Sequence, residues 1–207
     1  MKSTSLIALS MLSMTACVGG HQLHSPERQS INWRQVISDD DRTRLRHWRE
    51  SMIAALRDVR QSSAPDVDAE GALLQPDAAL KMVGMAPGDY SCRLIKLGAQ
   101  QSQPHFRSSP PMTCRVSIDG AVLRFGLETG RQRPVGHIYA DRGDRMIFLG
   151  SLVLADETMA QSYGHDARRD MIGMVERIGP DHWRMLLPSP HFESLFDVIE
   201  IKRATNQ

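Results

Sequence analysis

The segment that decides the fold is residues 146–154, with the sequence MIFLGSLVL. Successive side chains of a β-strand point to opposite faces of the sheet, so a half-buried strand alternates apolar and polar residues. Here Phe148 and Leu152 face one way, Ile147 and Leu149 face the other, and both sets are apolar. A strand buried on both faces needs a second layer against its outer face, and we expect a helix to supply it.

Turn residues divide the chain around this segment into short apolar runs. Tight turns are predicted at residues 119–120 (Asp-Gly), 142–144 (Arg-Gly-Asp) and 179–181 (Gly-Pro-Asp), each between two such runs. Eight short strands at this spacing are typical of a small antiparallel β-barrel or sandwich. The predicted strands cover residues 88–97, 112–118, 121–127, 134–140, 145–154, 170–178, 182–187 and 196–203.

An amphipathic helix is predicted over residues 38–60, and residues 61–65 are expected to end it. Ser38 can cap the first turn, and the acidic residues that follow suit the positive end of the helix dipole. One face is apolar, with Leu45, Trp48, Met52, Ala55, Leu56 and Val59 at helical spacing. The opposite face is rich in arginine, which indicates a solvated face, with membrane-surface contact as the alternative. The predicted fold class is therefore α+β, an N-terminal amphipathic helix packed on a small antiparallel β-barrel or sandwich of about eight strands.

The first 30 residues have the pattern of an export signal followed by a linker. Residues 1–16 combine Lys2, a short apolar run and small residues before Cys17, and the apolar run is too short to span a bilayer. The MTAC sequence at 14–17 looks like a lipobox, which predicts a lipoprotein signal peptide and lipidation at Cys17; a secretory signal cut after Ala16 is the alternative. Residues 17–30 are predicted to be a flexible tether. Val18 favours sorting to the outer membrane, with the domain facing the periplasm.

The remaining residues, 31–203, are predicted to form a single globular domain, helical over 31–85 and β-rich over 88–203. The whole chain has 25 basic and 24 acidic residues, and removal of 1–16 would take away Lys2 and no acidic residue. The mature chain is then neutral and has no basic block. We therefore expect no nucleic-acid partner.

Two of the three cysteines are predicted to form a disulfide bond. Cys17 is assigned to lipid, which leaves Cys92 and Cys114 as a pair in an oxidising compartment. Both lie in similar strand-like contexts, so we place them on adjacent strands. The alternative, a redox or metal-binding pair, lacks the close CxxC spacing.

The loop at residues 156–170 has the densest set of polar residues that could support chemistry. Asp156, Glu157 and Asp170 could orient and assist His165 as an acid and base pair. No nucleophile or zinc-protease motif accompanies them. These four residues are weak catalytic candidates, and a solvated loop held by salt bridges is the favoured interpretation.

Adjacent charges also occur within a predicted strand, at Glu176 and Arg177. Their side chains must point to opposite faces, so one of them faces inward if the barrel is closed. A buried charge must be paired or functional, and we favour a structural pair between Glu176 and an arginine, with Arg93, Arg115 and Arg184 as possible partners.

A metal site is not predicted. His165, His182 and His191 are separated by 17 and 9 residues, which matches no compact ligand pattern. We expect neither a metal nor another cofactor.

Five stretches of the chain resemble domain-of-unknown-function family 4893, which is found in bacterial envelope proteins. They are residues 70–74 (EGALL), 88–93 (GDYSCR), 95–98 (IKLG), 148–157 (FLGSLVLADE) and 175–179 (VERIG). The resemblance covers residues 30–203. It implies a single exported domain and supplies neither an activity nor catalytic residues.

These observations favour a lipid-anchored envelope lipoprotein that binds a small apolar ligand or an envelope protein and is not an enzyme. One alternative is an envelope hydrolase that uses the 156–170 loop. The other is a purely structural lipoprotein. A roomy apolar barrel interior favours a ligand, and contact between His165 and an acidic residue favours an enzyme. A filled barrel with an exposed apolar patch favours a protein partner.

Overall fold

The computed structural model describes residues 31–100 and 103–204, and these contain nine strands and two α-helices. The expected signal peptide at 1–16, the lipidation residue Cys17 and the rest of the tether at 17–30 lie outside the described residues. In the described part of the chain, neither helix is long and apolar enough to cross a membrane.

The helices come first along the chain and the strands follow. The helices are α1 (Asp39–Arg46) and α2 (Trp48–Ala69). The strands are β1 (Gly88–Leu97), β2 (Phe106–Ser108), β3 (Met112–Asp119), β4 (Val122–Leu127), β5 (Gln132–Arg142), β6 (Arg145–Leu154), β7 (Asp170–Gly179), β8 (His182–Pro188) and β9 (Phe196–Arg203). All pairs are antiparallel, and from β3 to β9 each strand pairs with the next one along the chain.

Strand β1 closes the sheet into a barrel. On one side it pairs with β9 from Tyr90 to Leu97. On the other side residues 88–92 pair with β3 and residues 95–97 pair with β2. Strands β2 and β3 therefore share one edge of β1, interrupted at Pro110 and Pro111, where proline offers no backbone N–H to the ladder. The fold is an eight-stranded antiparallel barrel with β2 as a ninth strand. This confirms the predicted α+β class, and of the two predicted alternatives, barrel and sandwich, it is the barrel.

Strand β6 is buried on both faces. Phe148 and Leu152 belong to the cluster of side chains inside the barrel. Ile147 and Leu149 belong to a second cluster, on the outer face, which also contains Met52 and other apolar residues of α1 and α2. The two clusters correspond to the two apolar sets of the 146–154 segment.

Aromatic side chains fill the interior. Phe125 and Phe148 meet edge to face with ring centroids 5.9 Å apart, and Tyr90 and Trp183 do so at 6.0 Å. All four are buried. Such pairs favour the edge-to-face arrangement because the ring edge is positive and the ring face negative.

The helical segment begins at the predicted cap and breaks within the predicted end region. Ser38 caps α1 by accepting a hydrogen bond from the Asp41 backbone N–H at 3.2 Å. Residues 61–65 were predicted to end the helix, and the regular helix does break there, at Ser63, whose backbone is non-helical. A second helical stretch then continues to Ala69. Pro65 follows within the first turn of the continued helix, a position where the missing N–H costs no hydrogen bond.

Cys92 and Cys114 form the predicted disulfide bond between β1 and β3, with their Cα atoms 5.9 Å apart. Cys114 lies opposite Tyr90 in the register, so the bond runs diagonally between the strands. Both cysteines are buried in the interior cluster.

A buried carboxylate on β5 joins the start of the described chain to the barrel. Asp141 accepts hydrogen bonds from Trp33 Nε1 at 3.1 Å, Arg34 Nη2 at 2.8 Å and Arg145 Nε at 2.8 Å. Burial alone would raise the pKa of Asp141, but these three donors lower it below its ordinary value. The carboxylate is therefore ionised at neutral pH and fixes residues 33–34 on the barrel.

Candidate functional site

The two ends of the barrel differ in their connections. One end has the short turns at 120–121, 143–144 and 180–181. The other end, which we call the mouth, carries longer connections that include residues 128–131, 155–169 and 189–195. Longer loops at one end of a rigid scaffold are where binding sites are usually built.

A charged pair lies inside the barrel just below the mouth. Lys96 of β1 and Asp197 of β9 are directly opposite in the register, with Lys96 Nζ 3.1 Å from Asp197 Oδ2. Strand alternation places both on the inner side, in line with Leu94 and Ile199. Their exposed fractions are only 7% and 3%. Two apolar side chains would fill such a position without the cost of removing charges from water, so packing alone does not account for this pair.

The loop between β8 and β9 adds two more polar groups. The Ser194 hydroxyl donates a hydrogen bond to Asp197 Oδ1, and Glu193 Oε2 accepts one from Arg107 Nη2. Glu193 Oε2 also lies 3.7 Å from Lys96 Nζ. Arg107 and Lys96 therefore share one carboxylate, that of Glu193.

The two carboxyl groups have opposite pKa shifts. Burial would raise the pKa of Glu193, but the hydrogen bond from Arg107 and the charge of Lys96 lower it below its ordinary value. Burial raises the pKa of Asp197, and the charge of Lys96 and the hydrogen bond from Ser194 only partly oppose that rise. Glu193 is thus the carboxylate that stays ionised most readily.

An open cleft of about 710 Å³ lies at the mouth over this group. Its charged residues are Lys96, Arg107, Arg131 and Glu193. Its apolar wall is formed by Leu94, Pro110, Met112, Leu154 and Ala155. A smaller cavity of about 20 Å³ shares Leu94 and Lys96 with the cleft and reaches Asp197, which is room for about one water molecule.

The loop at 189–195 has an unusual backbone. Ser189 and Glu193 both adopt a positive φ, 46° and 69°, although neither is glycine. Side chains other than glycine rarely occupy this region, and such residues are concentrated at functional sites. The carboxylate that contacts Lys96 and Arg107 is therefore presented by a backbone held in an unfavourable conformation.

The four residues predicted as weak catalytic candidates lie in or beside the β6–β7 loop at the same mouth. Asp156 and His165 are exposed. Glu157 accepts hydrogen bonds from Arg169 Nη1 and from the Leu154 backbone N–H, which lower its pKa. Asp170 is buried and accepts from the Gly164 backbone N–H at 2.9 Å, and burial raises its pKa. Across the described residues, no hydrogen bond joins the His165 side chain to any of these three acids.

Helix α1 holds the same loop from the other side. The Tyr163 hydroxyl donates a hydrogen bond to the buried Asp41, which also accepts one from Arg44. Arg44 also donates hydrogen bonds to the Asp170 carbonyl at 2.9 Å and to the Ser189 carbonyl at 3.2 Å. One arginine of α1 thereby contacts the start of β7 and the loop that carries Glu193.

Glu176 and Arg177 lie far from this cleft. Glu176 is buried on the outer face and forms an ion pair with Arg184, with 2.7 Å between Oε2 and Nη2. Arg177 is on the inner side of the strand near the opposite end, where its Nε donates to the Lys81 carbonyl at 2.9 Å. Arg93, Arg115 and Arg184 were the predicted possible partners of Glu176, and Arg184 is the one that pairs with it.

Lys96, Arg107, Glu193 and Asp197 were not predicted to form a site together. Two of them could have been found from the strand pattern. Lys96 lies two residues after Leu94 and Asp197 lies two residues before Ile199, so each is a charged residue on an otherwise apolar strand face. Arg107 and Glu193 lie in a strand and a loop whose positions depend on tertiary structure. For metals, the residues that the structure describes include no cluster of three or more His, Cys, Asp or Glu suited to an ion.

Fold and site together define a class: a closed antiparallel barrel with a filled interior and a charged, partly apolar cleft at its mouth. Residues 33–201 match the family described as Domain of unknown function (DUF4893), and since this is most of the chain, the protein belongs to that family. The resemblance seen in the sequence is thus confirmed. Comparisons with curated proteins and with solved structures gave no match.

Proposed function

We propose that this protein is a non-enzymatic ligand-binding module of the bacterial envelope, and that its binding site is the cleft at the barrel mouth. In this proposal residues 1–16 are removed, Cys17 carries the lipid and residues 17–30 tether the domain to the outer membrane on its periplasmic side. The N-terminal helices α1 and α2 act as the cover that keeps the outer apolar face of the barrel from water.

The observation that carries the proposal is the buried pair of Lys96 and Asp197 below an open cleft. Ligand sites are mostly apolar concavities of about 300–1,000 Å³ with a few placed polar groups, and the cleft has that size and character. A buried, paired lysine can exchange part of its interactions for those of a ligand without a change in the backbone of β1 or β9.

A hydrolase at the 156–170 loop has less support. Glu157 is engaged by Arg169, Asp170 is engaged by Gly164, and the exposed His165 has no carboxylate partner in the described chain. An acid and base pair needs its groups within hydrogen-bond reach. These contacts suit a loop that shapes the mouth better than they suit catalysis.

Native mass spectrometry of the full-length protein extracted from membranes tests the binding proposal. We expect the wild type to carry a bound small molecule and the double variant Lys96→Met/Asp197→Leu to lack it. Replacing both charges with apolar groups leaves no unpaired buried ion, so the double variant should fold. Arg142→Met, an exposed residue at the far end, is the control that keeps the ligand. If the wild type carries nothing, or the double variant carries the same molecule, the proposal fails.

Labelling with radioactive palmitate in a bacterial host tests the anchor separately. The full-length wild type should be labelled and sediment with the outer membrane, whereas Cys17→Ser should be unlabelled. The double variant Cys92→Ser/Cys114→Ser should keep the label, because neither of its cysteines follows a lipobox. An unlabelled wild type would rule out the lipid anchor and leave the binding proposal untouched.

A further inference from the structure

The cleft has more positive than negative charge, and this excess indicates the kind of ligand that it accepts. Its lining carries Lys96, Arg107 and Arg131 against one acid, Glu193. Asp197 lies below the cleft and balances Lys96. In the described chain, Arg131 forms no side-chain hydrogen bond or ion pair. A ligand with one negative charge would therefore balance the cleft.

Glu193 shows how the cleft holds a carboxylate. Its carboxylate contacts both Arg107 and Lys96, so it makes the interactions that a bound carboxylate would make. Its side chain is one-third exposed, 33%, whereas the Asp197 side chain is 5% exposed. Of the two acids, only Glu193 can leave its cations for water without opening the barrel.

The backbone and the cleft wall favour this exchange. Glu193 has a positive φ of 69°, a backbone conformation that is unfavourable for residues other than glycine. Beside the cations the wall is apolar at Leu94, Met112 and Leu154, which suits a hydrocarbon chain rather than a wholly polar anion.

We infer that the ligand of the mouth is a single-chain anionic amphiphile, and that Glu193 is an internal competitor whose carboxylate the ligand head displaces from Arg107 and Lys96. This inference rests on the proposed binding function of the cleft and adds its ligand class. Binding is an exchange of one carboxylate for another, with no covalent step. Removing the Glu193 charge should then strengthen binding of the anion, which a purely structural salt bridge would not do.

Isothermal titration with dodecanoate and with 1-dodecanol tests the inference on the full-length protein at neutral pH. Dodecanoate is kept below micelle formation and 1-dodecanol below its solubility limit. The two probes share a chain and differ in charge. We expect dodecanoate to bind the wild type about tenfold more tightly than 1-dodecanol does, and Glu193→Gln to strengthen dodecanoate binding by about tenfold, as expected when one charge-assisted hydrogen bond stops competing. Glu193→Gly, which also relieves the positive φ, should act in the same direction.

The control is Glu50→Gln, an exposed acid on α2 whose loss changes the net charge equally. It should leave both affinities unchanged, and Arg107→Gln should weaken dodecanoate alone. If 1-dodecanol binds as tightly as dodecanoate, or Glu193→Gln matches Glu50→Gln, the inference is overturned while the cleft remains a binding site. If neither probe binds any variant, both the inference and an amphiphile-binding function are overturned.

Discussion

Replacing Arg184 with methionine removes the most heavily bonded buried charge of the barrel. Arg184 has no exposed surface, and its guanidinium donates to Glu176 Oε2 at 2.7 and 3.0 Å. It also donates to four backbone carbonyls, those of Ala72, Leu73, Gln75 and Pro76, at 2.6 to 3.3 Å. One side chain thus joins β7 and β8 to the segment that follows α2.

The expected loss of stability follows from these contacts. Removing one partner of a buried ion pair costs about 3–5 kcal/mol, because the other charge stays buried and unpaired. The four carbonyls also lose a charged donor, but those near the surface can accept from water instead. We therefore expect Arg184→Met to lower the free energy of unfolding by about 4 kcal/mol or more, out of the 5–15 kcal/mol typical of a domain. At about 2–4 °C per kcal/mol for this size, the melting temperature should fall by roughly 8–16 °C.

Urea denaturation followed by circular dichroism, with the disulfide intact, measures this change. The double variant Arg184→Met/Glu176→Met removes both charges and should recover a large part of the loss, since no unpaired ion remains. Lysine at position 184 should not restore full stability, because an ammonium group lacks the planar five-donor fork. An Arg184→Met variant within about 1 kcal/mol of the wild type would refute the reasoning.

The pH dependence of stability tests whether the unpaired Glu176 charge causes the destabilisation expected for Arg184→Met. Burial raises the pKa of Glu176, and the charge and hydrogen bonds of Arg184 oppose that rise. Since the folded-state pKa exceeds the unfolded value of about 4.3, stability falls as the pH rises from the unfolded to the folded pKa. Without Arg184 the folded-state pKa rises further, so the fall extends to higher pH. The variant should be least destabilised in acid, and a penalty independent of pH would exclude the Glu176 charge as its cause.

Three other perturbations have definite expected outcomes. The double variant Cys92→Ser/Cys114→Ser should lose roughly 3 kcal/mol by urea denaturation, because the bond closes a loop with a sequence separation of 22; reductant should affect the wild type alone. Gly136→Ala should lower the free energy of unfolding by about 1–3 kcal/mol or more, because its Cβ would lie 2.3 Å from a backbone oxygen. Gly126→Ala, whose Cβ would have its nearest contact at 3.7 Å, should change thermal stability little. Asp141 has a lowered pKa, so its contribution is present above the unfolded pKa and is lost as the pH falls through the folded one. Asp141→Asn should therefore lower stability at neutral pH and flatten the acid limb of the stability curve; an unchanged acid limb would contradict this.

Strand positions along the chain were predictable because local signals agreed with the fold. Each of the eight predicted strands corresponds to an observed one, since turn residues and apolar runs are both local features. The ninth, Phe106–Ser108, was missed because it has three residues and exists only by pairing with residues 95–97. The helical stretch that follows the break at Ser63 and ends at Ala69 was not predicted, because proline usually ends a helix, although the first turn of a helix accepts it.

The site was harder to predict than the fold for a similar reason. Lys96 and Asp197 are 101 residues apart and meet only because β1 closes the barrel against β9. A sequence contains no direct signal for which two distant strands close a barrel. The catalytic candidates were instead predicted in the dense polar loop at 156–170. In the structure Glu157 and Asp170 form hydrogen bonds within that loop, to Arg169 and Gly164.

The filled interior limits where a ligand can bind. Phe125, Phe148, Tyr90 and Trp183 occupy the barrel below the mouth, so a ligand chain cannot descend along the axis without displacing close-packed rings. The proposed binding is then confined to the mouth, where the wall comes from loops and strand ends. Affinity should accordingly respond to changes at Arg107, Glu193 and their neighbours far more than to conservative changes in the barrel core, which act on stability. A core variant such as Phe125→Leu that loses stability but keeps full affinity for dodecanoate would separate the two roles, and a proportionate loss of both would place the ligand inside the barrel.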